Sequence, residues 1–126
     1  MSNAFEIGKK LVDLCNQGKS REVINTMYSN DIVSIEAHGS PEIPARQQGL
    51  AAIKAKTDWW VSNHEIHSGK AMGPWPNGDQ FIIRFTYEFT PKTGPAAGKR
   101  ITMEEAGLYT VKDGKIVQEE FFYHMG

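Results

Sequence analysis

Two alternating runs near the C-terminus place acids and tyrosines among large apolar side chains. The runs flank Asp113-Gly114, and Asp-Gly between alternating segments is typical of a β-hairpin because Gly adopts positive φ without steric cost. The period of two gives one face with Met103, Glu105, Gly107, Tyr109 and Val111, and a second with Val117, Glu119, Phe121, Tyr123 and Met125. A pure core would not need these acids and a solvated face would not favour these aromatics, so the pattern indicates a pocket lining.

The hairpin register makes a definite prediction about which side chains point inward. Tyr109 should lie close to Glu119 or Phe121, with Glu105 further out near Tyr123. Acids at that depth can share a proton or accept hydrogen bonds from the tyrosines. The predicted inward set is Glu105, Tyr109, Glu119 and Tyr123, and the outward set is Glu104, Thr110, Glu120 and Phe122. The alternative is that the acids point outward and are simply solvated.

A third carboxyl group, Glu36, ends an otherwise apolar segment that starts at Ile32. A partly desolvated carboxylate in such a place can act as a general base near neutral pH. The alternative is a carboxylate on the rim, satisfied by backbone N–H groups or by an adjacent cation.

Composition excludes several classes of protein. The chain has 126 residues with a formal net charge of −1, which suits one domain, residues 1–126, and favours neither a nucleic acid nor a membrane as partner. Cys15 is the only cysteine, so neither an intrachain disulfide nor a thiolate metal cluster can form. No signal peptide or membrane span is recognisable, which predicts a cytoplasmic location. No glycine-rich phosphate loop is present, and we expect no cofactor.

The periodicity predicts helices first and strands afterwards. Helices are expected over Phe5–Cys15, from Ser20 to about Asn30, and over Gly49–Asn63, the last with Leu50, Ile53, Thr57, Trp60 and Val61 on its inner side. Strands are expected over Ile32–Ala37, Glu65–Met72, Phe81–Thr90 and the two arms of the hairpin, with loops at 38–47 and 91–98. This order predicts an α+β fold, in which three helices from the N-terminal half pack on a curved, mostly antiparallel sheet as a conical half-barrel.

The clearest strand, Phe81–Thr90, has two different faces. Its phenylalanines should meet the helices, which brings Phe85 and Tyr87 into the lining of a cavity with Trp60 of the third helix. Arg84 and Glu88 lie on the opposite, convex face together with Ile82. Since the helices cannot cover both faces of the sheet, we expect a homodimer through the convex face.

Several short strings, in this order, resemble the SnoaL-like group of the nuclear transport factor 2-like superfamily, which includes relatives of ketosteroid isomerase. The matching strings are Asn16-Gln17-Gly18, Tyr28 to Glu36, Gly49 to Ile53, and Val111 to Ile116. The resemblance covers nearly the whole chain. It implies the conical α+β fold, and a fold of this kind hosts isomerases, cyclases, hydratases and non-catalytic binders.

The resemblance also assigns positions. Glu36 falls where the ketosteroid isomerase base lies, whereas the oxyanion-hole tyrosine and aspartate of that enzyme correspond to Leu11 and to a position near Gly107. Without those donors, steroid isomerisation by the family mechanism is not expected. The fold implies that the first strand pairs with the strand starting near Glu65, which would bring His67 to Glu36 as a carboxylate–imidazole pair. The alternative for His67 is a capping or surface histidine.

His38 is expected at the same pocket. With Glu36 and His67 it could in principle hold a divalent metal, but no close ligand spacing supports such a site, and we predict none.

The sequence leaves open whether the protein is an enzyme, and the first hypothesis is an enzyme that transfers protons without a cofactor. An isomerase, cyclase or hydratase acting on an apolar, ring-bearing small molecule would use Glu36 as base and His67 as its partner. The alternatives are a non-catalytic small-molecule-binding module and a dimerisation module.

Overall fold

The structure is a computed structural model that describes residues 3–41 and 43–124. Met125, which the alternation assigns to the inward face of the last strand, lies outside the described residues.

Helices α1 (Ala4–Asn16), α2 (Ser20–Met27) and α3 (Leu50–Asn63) all precede the main part of the sheet. In α1, the apolar positions Gly8 and Leu11 are buried against the sheet at helical spacing. A Cβ on Gly8 would lie only 2.7 Å from Cβ of Pro74. The glycine therefore allows α1 to approach the sheet closely.

The sheet contains β1 (Tyr28–Ile35), β2 (Arg46–Gln48), β3 (His64–Asn77), β4 (Gln80–Pro91), β5 (Ile101–Lys112) and β6 (Lys115–Phe122). The strands lie in the order β2-β1-β6-β5-β4-β3. All neighbouring strands are antiparallel except β1 and β6, which run parallel. The predicted α+β half-barrel, with helices packed on one face of a mostly antiparallel sheet, is confirmed.

The inner face of the sheet carries the core. Phe81, Ile83, Phe85 and Phe89 alternate along β4 and are buried. The Phe81 ring stacks on the Tyr109 ring of β5, with centroids 5.0 Å apart, because the two residues are directly opposite each other in the ladder. The clear two-sided pattern of this strand made its placement predictable from sequence.

The predicted pairing of the first and third strands is wrong. β1 lies between β2 and β6, and β3 is the opposite edge strand of the sheet. The last strand returns to the middle of the sheet and occupies the place beside β1. Sequence alternation shows which face a residue takes, but not which strand lies beside which.

Three boundaries also differ from the predictions. The second helix ends at Met27, and Tyr28 begins β1 with extended backbone angles, φ −87° and ψ 143°. A short strand, β2, lies in the segment predicted as a loop. β3 continues to Asn77 through a register shift between Met72 and Trp75, so Gly73–Asn77 is strand rather than loop.

One residue of the last strand departs from the predicted alternation. Val111 pairs with Ile116 and Thr110 with Gln118, which leaves Val117 as an extra residue in a β-bulge. Ile116 is fully buried in place of Val117, and beyond the bulge Glu119 and Phe121 return to the inner face. The prediction for Val117 is wrong because a bulge shifts the alternation by one residue.

No helix in the described part of the chain is both long enough and apolar enough to cross a membrane.

Candidate functional site

A lysine from the third helix occupies the centre of the acidic side chains. Nζ of Lys56 donates to Oε2 of Glu36 at 2.9 Å and to Oγ of Ser34 at 2.6 Å. The same ammonium lies 3.7 Å from Oε2 of Glu119 and 5.5 Å from the centroid of the Phe121 ring. One cation thus connects α3, β1 and β6.

Glu119 is the most deeply buried acid of the site. Its carboxyl group accepts hydrogen bonds from the hydroxyl groups of Tyr28 and Ser34, the latter at 2.6 Å. Burial raises the pKa of Glu119, whereas Lys56 and the two hydroxyl donors oppose the shift because they stabilise the carboxylate. Since all its contacts are donors within the core, Glu119 holds Lys56 in place rather than offering an accessible reactive group.

Glu36 lies just past β1 and is only partly buried. Its Oε1 accepts a hydrogen bond from the Tyr123 hydroxyl at 3.0 Å, and its other oxygen faces Lys56. The Tyr123 ring is 5.8 Å from that of His38, which is exposed. Glu36 is within hydrogen-bond reach of a tyrosine, as expected of a base that faces a cavity, although it does not border the recess of the structure. The adjacent cation of the alternative interpretation is present as well.

Glu105 has no hydrogen-bond partner among the described residues, and it is half-buried on the inner face of β5. Burial, and then the charges of Glu36 and Glu119, raise its pKa to about 8, although Lys56 acts in the opposite direction. Glu105 therefore keeps its proton at neutral pH, while Glu36 is paired with a cation. Two neighbouring carboxyl groups thus have different environments, because one contacts a cation and the other does not. Catalysis by a pair of carboxyl groups, one as acid and one as base, requires such a difference.

The inward and outward sets of the hairpin are confirmed. Tyr109 is buried directly opposite Glu119, and its ring meets the Phe121 ring edge-on with centroids 6.1 Å apart. On the other face, Glu104 and Phe122 are exposed. Tyr87 lies diagonally across from Glu105 on the adjacent strand, because Phe85 is directly opposite Glu105.

His67 does not reach Glu36. Its Nε2 lies 2.7 Å from Oγ1 of Thr90, at the far edge of the sheet, since β3 is not the neighbour of β1. The predicted Glu36–His67 pair is therefore wrong in its geometry. Tyr123 and Lys56 occupy the places around Glu36 that the sequence assigned to histidine.

Trp60 forms an aromatic cluster with His64 and Phe89. Its ring stacks on His64, with centroids 3.8 Å apart, and meets Phe89 edge-on at 4.9 Å. Val61, predicted on the same inner stripe, is exposed. The inner side of α3 instead includes Lys56, one turn after Ile53 and one turn before Trp60.

Lys56 and Tyr28 are the functional residues that sequence reasoning missed. The i, i+3, i+7 spacing of Ile53, Lys56 and Trp60 was a usable signal for Lys56, because it puts a charged residue on a buried stripe. Tyr28 carried no comparable signal, since its role depends on the end of the second helix at Met27, directly before Tyr28.

Within residues 3–41 and 43–124, no group of three histidine, cysteine, aspartate or glutamate side chains is arranged to hold a metal ion.

A recess of about 300 Å³ lies on the inner side of the sheet. It lies between the turn that connects α1 to α2 and the inner faces of β3 and β4, with Phe85 and Tyr87 in its wall. Of the residues predicted to line a pocket, only these two border the recess. The others either surround Lys56 or belong to the aromatic cluster and the buried core.

Comparison with protein families gives a clear result. The SnoaL-like domain family matches residues 1–123. The chain belongs to the SnoaL-like family. A crystal structure from Mesorhizobium loti, provisionally described as a SnoaL-like polyketide cyclase with carbohydrate phosphatase added in brackets, is 45% identical to this SnoaL-like protein with a TM-score of 0.86, over 94% of this chain and 97% of that one.

More distant solved structures share the fold. A Catenulispora acidiphila protein with a ketosteroid isomerase-like fold, in complex with trimethylamine, is 16% identical with a TM-score of 0.69, over 98% of this chain and 88% of that one. A protein from Bacillus subtilis, provisionally described as an isomerase, is 16% identical with a TM-score of 0.72, over 96% of this chain and 86% of that one. A search of curated proteins found no significant match.

Replacing the central lysine should destabilise the protein far more than replacing an exposed cation. We expect Lys56→Met to lower the free energy of unfolding by about 3 kcal/mol, because it leaves two acids in the interior without their cation. The side chains of Lys56 and Glu36 are 15% and 22% exposed. Urea denaturation at pH 7 measures the effect.

Arg84→Met is the matched control. Arg84 and Glu104 also pair at 2.9 Å, but their side chains are 52% and 59% exposed, so the loss should stay below about 1 kcal/mol. Equal losses for the two variants would contradict the central role of Lys56.

Stability should fall as pH rises, because of Glu105. Its pKa of about 8 in the folded protein lies above the ordinary value of 4.5, so the folded state holds a proton that the unfolded state releases. The contribution of this bound proton to the free energy of unfolding is complete below about pH 4.5 and is lost as pH rises to about 8. The total loss is about 1.4 kcal/mol for each unit by which the folded and unfolded pKa values of Glu105 differ. Denaturation curves between pH 5 and 9 measure the slope.

Glu105→Gln should flatten that slope and be more stable than the original protein at pH 9. Glu104→Gln is the control, because the neighbouring residue is exposed on the outer face, and it should leave the slope unchanged. The raised pKa of Glu119 leaves a smaller slope of the same sign, so an undiminished slope in Glu105→Gln would assign the pH dependence to another group.

Proposed function

We propose that the protein is a cofactor-independent acid–base enzyme, an isomerase, cyclase or hydratase that acts on a ring-bearing carbonyl compound. One observation supports this most: of two carboxyl groups on the inner side of the fold, one is paired with a cation and the other has no hydrogen-bond partner among the described residues. Glu36 is ion-paired with Lys56, and Glu105 holds its proton at neutral pH because its pKa is about 8. One group can therefore accept a proton while the other donates one.

Glu36 is the proposed base. Its carboxylate would remove a proton from the carbon next to a carbonyl group, and the electron pair of that C–H bond would form the new C=C bond. Lys56 and Tyr123 hold the carboxylate in position through its two oxygens. Tyr123 takes the role of partner that the sequence analysis predicts for His67.

Glu105 is the proposed acid. As the C=C bond forms, the carbonyl electron pair moves to oxygen, which takes the proton of Glu105 and becomes an enol. Returning a proton to another carbon gives isomerisation, and attack of the enol on a second carbonyl gives ring closure. Neither outcome changes the oxidation level overall, and so neither needs an organic cofactor.

The descriptions of two relatives include reactions of this group. The protein from Mesorhizobium loti is described as a polyketide cyclase, with carbohydrate phosphatase added in brackets, and that from Bacillus subtilis as an isomerase. Ring closure by attack of an enol begins with proton removal next to a carbonyl group, as the proposed reaction does. The first of these relatives is 45% identical to this chain, which favours cyclisation as the reaction to test first.

Hydrogen–deuterium exchange into 2-tetralone tests the proposal without knowledge of the natural substrate. This neutral bicyclic ketone has acidic C–H groups next to its carbonyl, and NMR follows their exchange in D₂O. We expect the protein to accelerate exchange above the buffer rate. In Glu36→Gln the acceleration should be at least about 100-fold smaller. Glu104→Gln, on the outer face, should behave as the original protein.

The pH dependence distinguishes the acid from the base. Acceleration should fall above about pH 8, where Glu105 loses its proton. In Glu105→Gln the rate should be about tenfold lower at neutral pH, and the fall near pH 8 should be absent. Binding of 2-tetralone without acceleration of exchange would favour the non-catalytic binding module instead.

We also propose that two copies associate through the outer face of the sheet. Met72, Trp75, Ile82 and Phe122 are exposed, and the strand register puts all of them on the face that carries Arg84. The residues of this apolar patch lie on three strands, β3, β4 and β6, and the exposed ion pairs Arg84–Glu104 and Arg100–Glu88 lie on the same face. A second copy brings the same apolar surface and the same charges of both signs, so the patch is self-complementary.

Light scattering at micromolar concentration should show a dimer. Trp75→Glu should raise the dissociation constant at least about tenfold, because it puts a charge in the centre of the apolar patch. Val61→Glu is the control, since Val61 is equally apolar and exposed but lies on α3. A monomeric original protein would refute the dimer.

A further inference from the structure

The recess of about 300 Å³ has the composition of a site for a small organic molecule. Ile66, Phe85 and Tyr87 provide apolar and aromatic surface on the sheet side, and Cys15 and Ser20 form the side next to the helices. Ile66 is exposed although the register places it on the inner face, opposite Phe89. A large apolar side chain that faces inward and still remains exposed indicates a space that an apolar ligand can fill.

Tyr87 provides the polar group of this site. Its hydroxyl has no hydrogen-bond partner among the described residues. In the same part of the chain, no fully buried side-chain nitrogen or oxygen lacks a partner, so the unpartnered hydroxyl must remain accessible. Burial and the nearby acids, Glu105 foremost, raise the pKa of Tyr87 well above its ordinary value, so it stays a hydrogen-bond donor.

Gly69 makes room for the Tyr87 ring. The two residues are partners across β3 and β4, and a Cβ on Gly69 would lie 3.1 Å from Cδ1 and Cε1 of that ring. Gly69 is not among the glycines with positive φ, so its backbone does not require glycine. The missing side chain instead determines where the ring, and therefore the hydroxyl, lies in the recess.

The charges around Tyr87 select against anions. Glu119 and Glu36, which share the single ammonium of Lys56, act on its hydroxyl, whereas Glu105 is uncharged at neutral pH, and the one lysine of the recess, Lys70, is exposed at its rim. A ligand carboxylate placed at Tyr87 would face these acids, whereas a neutral carbonyl oxygen accepts the hydrogen bond without that repulsion.

We infer that the recess binds the ring of a neutral carbonyl compound and that the Tyr87 hydroxyl selects this compound by donating a hydrogen bond to its oxygen. The inference rests on the proposed function for the claim that this compound is the substrate. Because Glu105 is a diagonal neighbour of Tyr87 across the strands, an oxygen held at Tyr87 lies on the side of the proposed acid. Tyr87 is thus a specificity-determining residue, with Gly69 as its positioning residue.

Three matched probes test the inference without turnover. 2-Tetralone carries the carbonyl, tetralin has the same rings without oxygen, and 1,2,3,4-tetrahydro-2-naphthoate carries a carboxylate. NMR titration should show binding through amide shifts at Gly69 and Ala71. We expect 2-tetralone to bind roughly 2- to 10-fold more tightly than tetralin, as one net hydrogen bond provides, and the carboxylate to bind most weakly.

Variants identify the donor. Tyr87→Phe should reduce the affinity for 2-tetralone to that for tetralin and leave tetralin unchanged, and it should fold normally because the lost hydroxyl has no partner. Gly69→Ala should weaken both neutral probes, since it displaces the ring. Thr86→Val, next to Tyr87 but on the outer face, is the control and should bind all probes as the original protein does.

Equal affinities for 2-tetralone and tetralin, or a preference that survives in Tyr87→Phe, would overturn the inference. Shifts confined to Ile24 and Asn25, which line a separate recess of about 210 Å³, would overturn it as well. Binding and catalysis are distinguishable because Glu36→Gln should retain the preference for the ketone. If the preference is present but exchange is absent, only the proposed function fails.

Discussion

A single buried ammonium group organises the interior of this protein. Lys56 reaches from α3 to Ser34 and Glu36 at the end of β1 and to Glu119 on β6. β1 and β6 are parallel neighbours that are distant in sequence, and the lysine connects both strands to the helix that covers them. Removing it would leave acids in a low-dielectric interior, so the position of the helix and the charge of the site depend on the same contact.

The shortage of cations around the acids has a chemical consequence. Among the described residues, Lys56 is the only lysine or arginine that pairs with the inner carboxyl groups. Glu119 and Glu36 make direct contacts with it, and Glu105 makes none. Glu105 therefore remains protonated near neutral pH, since its pKa is about 8. A protonated carboxyl group and a cation-paired one lie in the same interior because the two neighbouring acids already contact the lysine.

Packing residues occupy the two positions that the resemblance assigns to the oxyanion-hole donors of ketosteroid isomerase. Leu11, which the resemblance assigns to the tyrosine, is part of the buried core. Near the position of the aspartate, a Cβ on Gly107 would lie 2.8 Å from the Tyr109 ring and 3.1 Å from the Phe121 ring, which leaves no room for a carboxyl side chain. Glu105 lies two residues earlier on the same face of β5, so the strand still presents an acid to the interior, displaced along the sheet.

The sequence by itself determined the types of the three helices and of every strand except β2, the α+β class and the inward orientation of Glu105, Tyr109, Glu119 and Tyr123, because alternation and helical spacing are local properties. Only the tertiary structure decided which strands are neighbours. It placed β6 beside β1, separated His67 from Glu36, and brought Tyr28 and Lys56 to the acids. It also decided the bulge at Val117 and the protonation of Glu105, since strand order, register shifts and burial arise from contacts between residues that are distant along the chain.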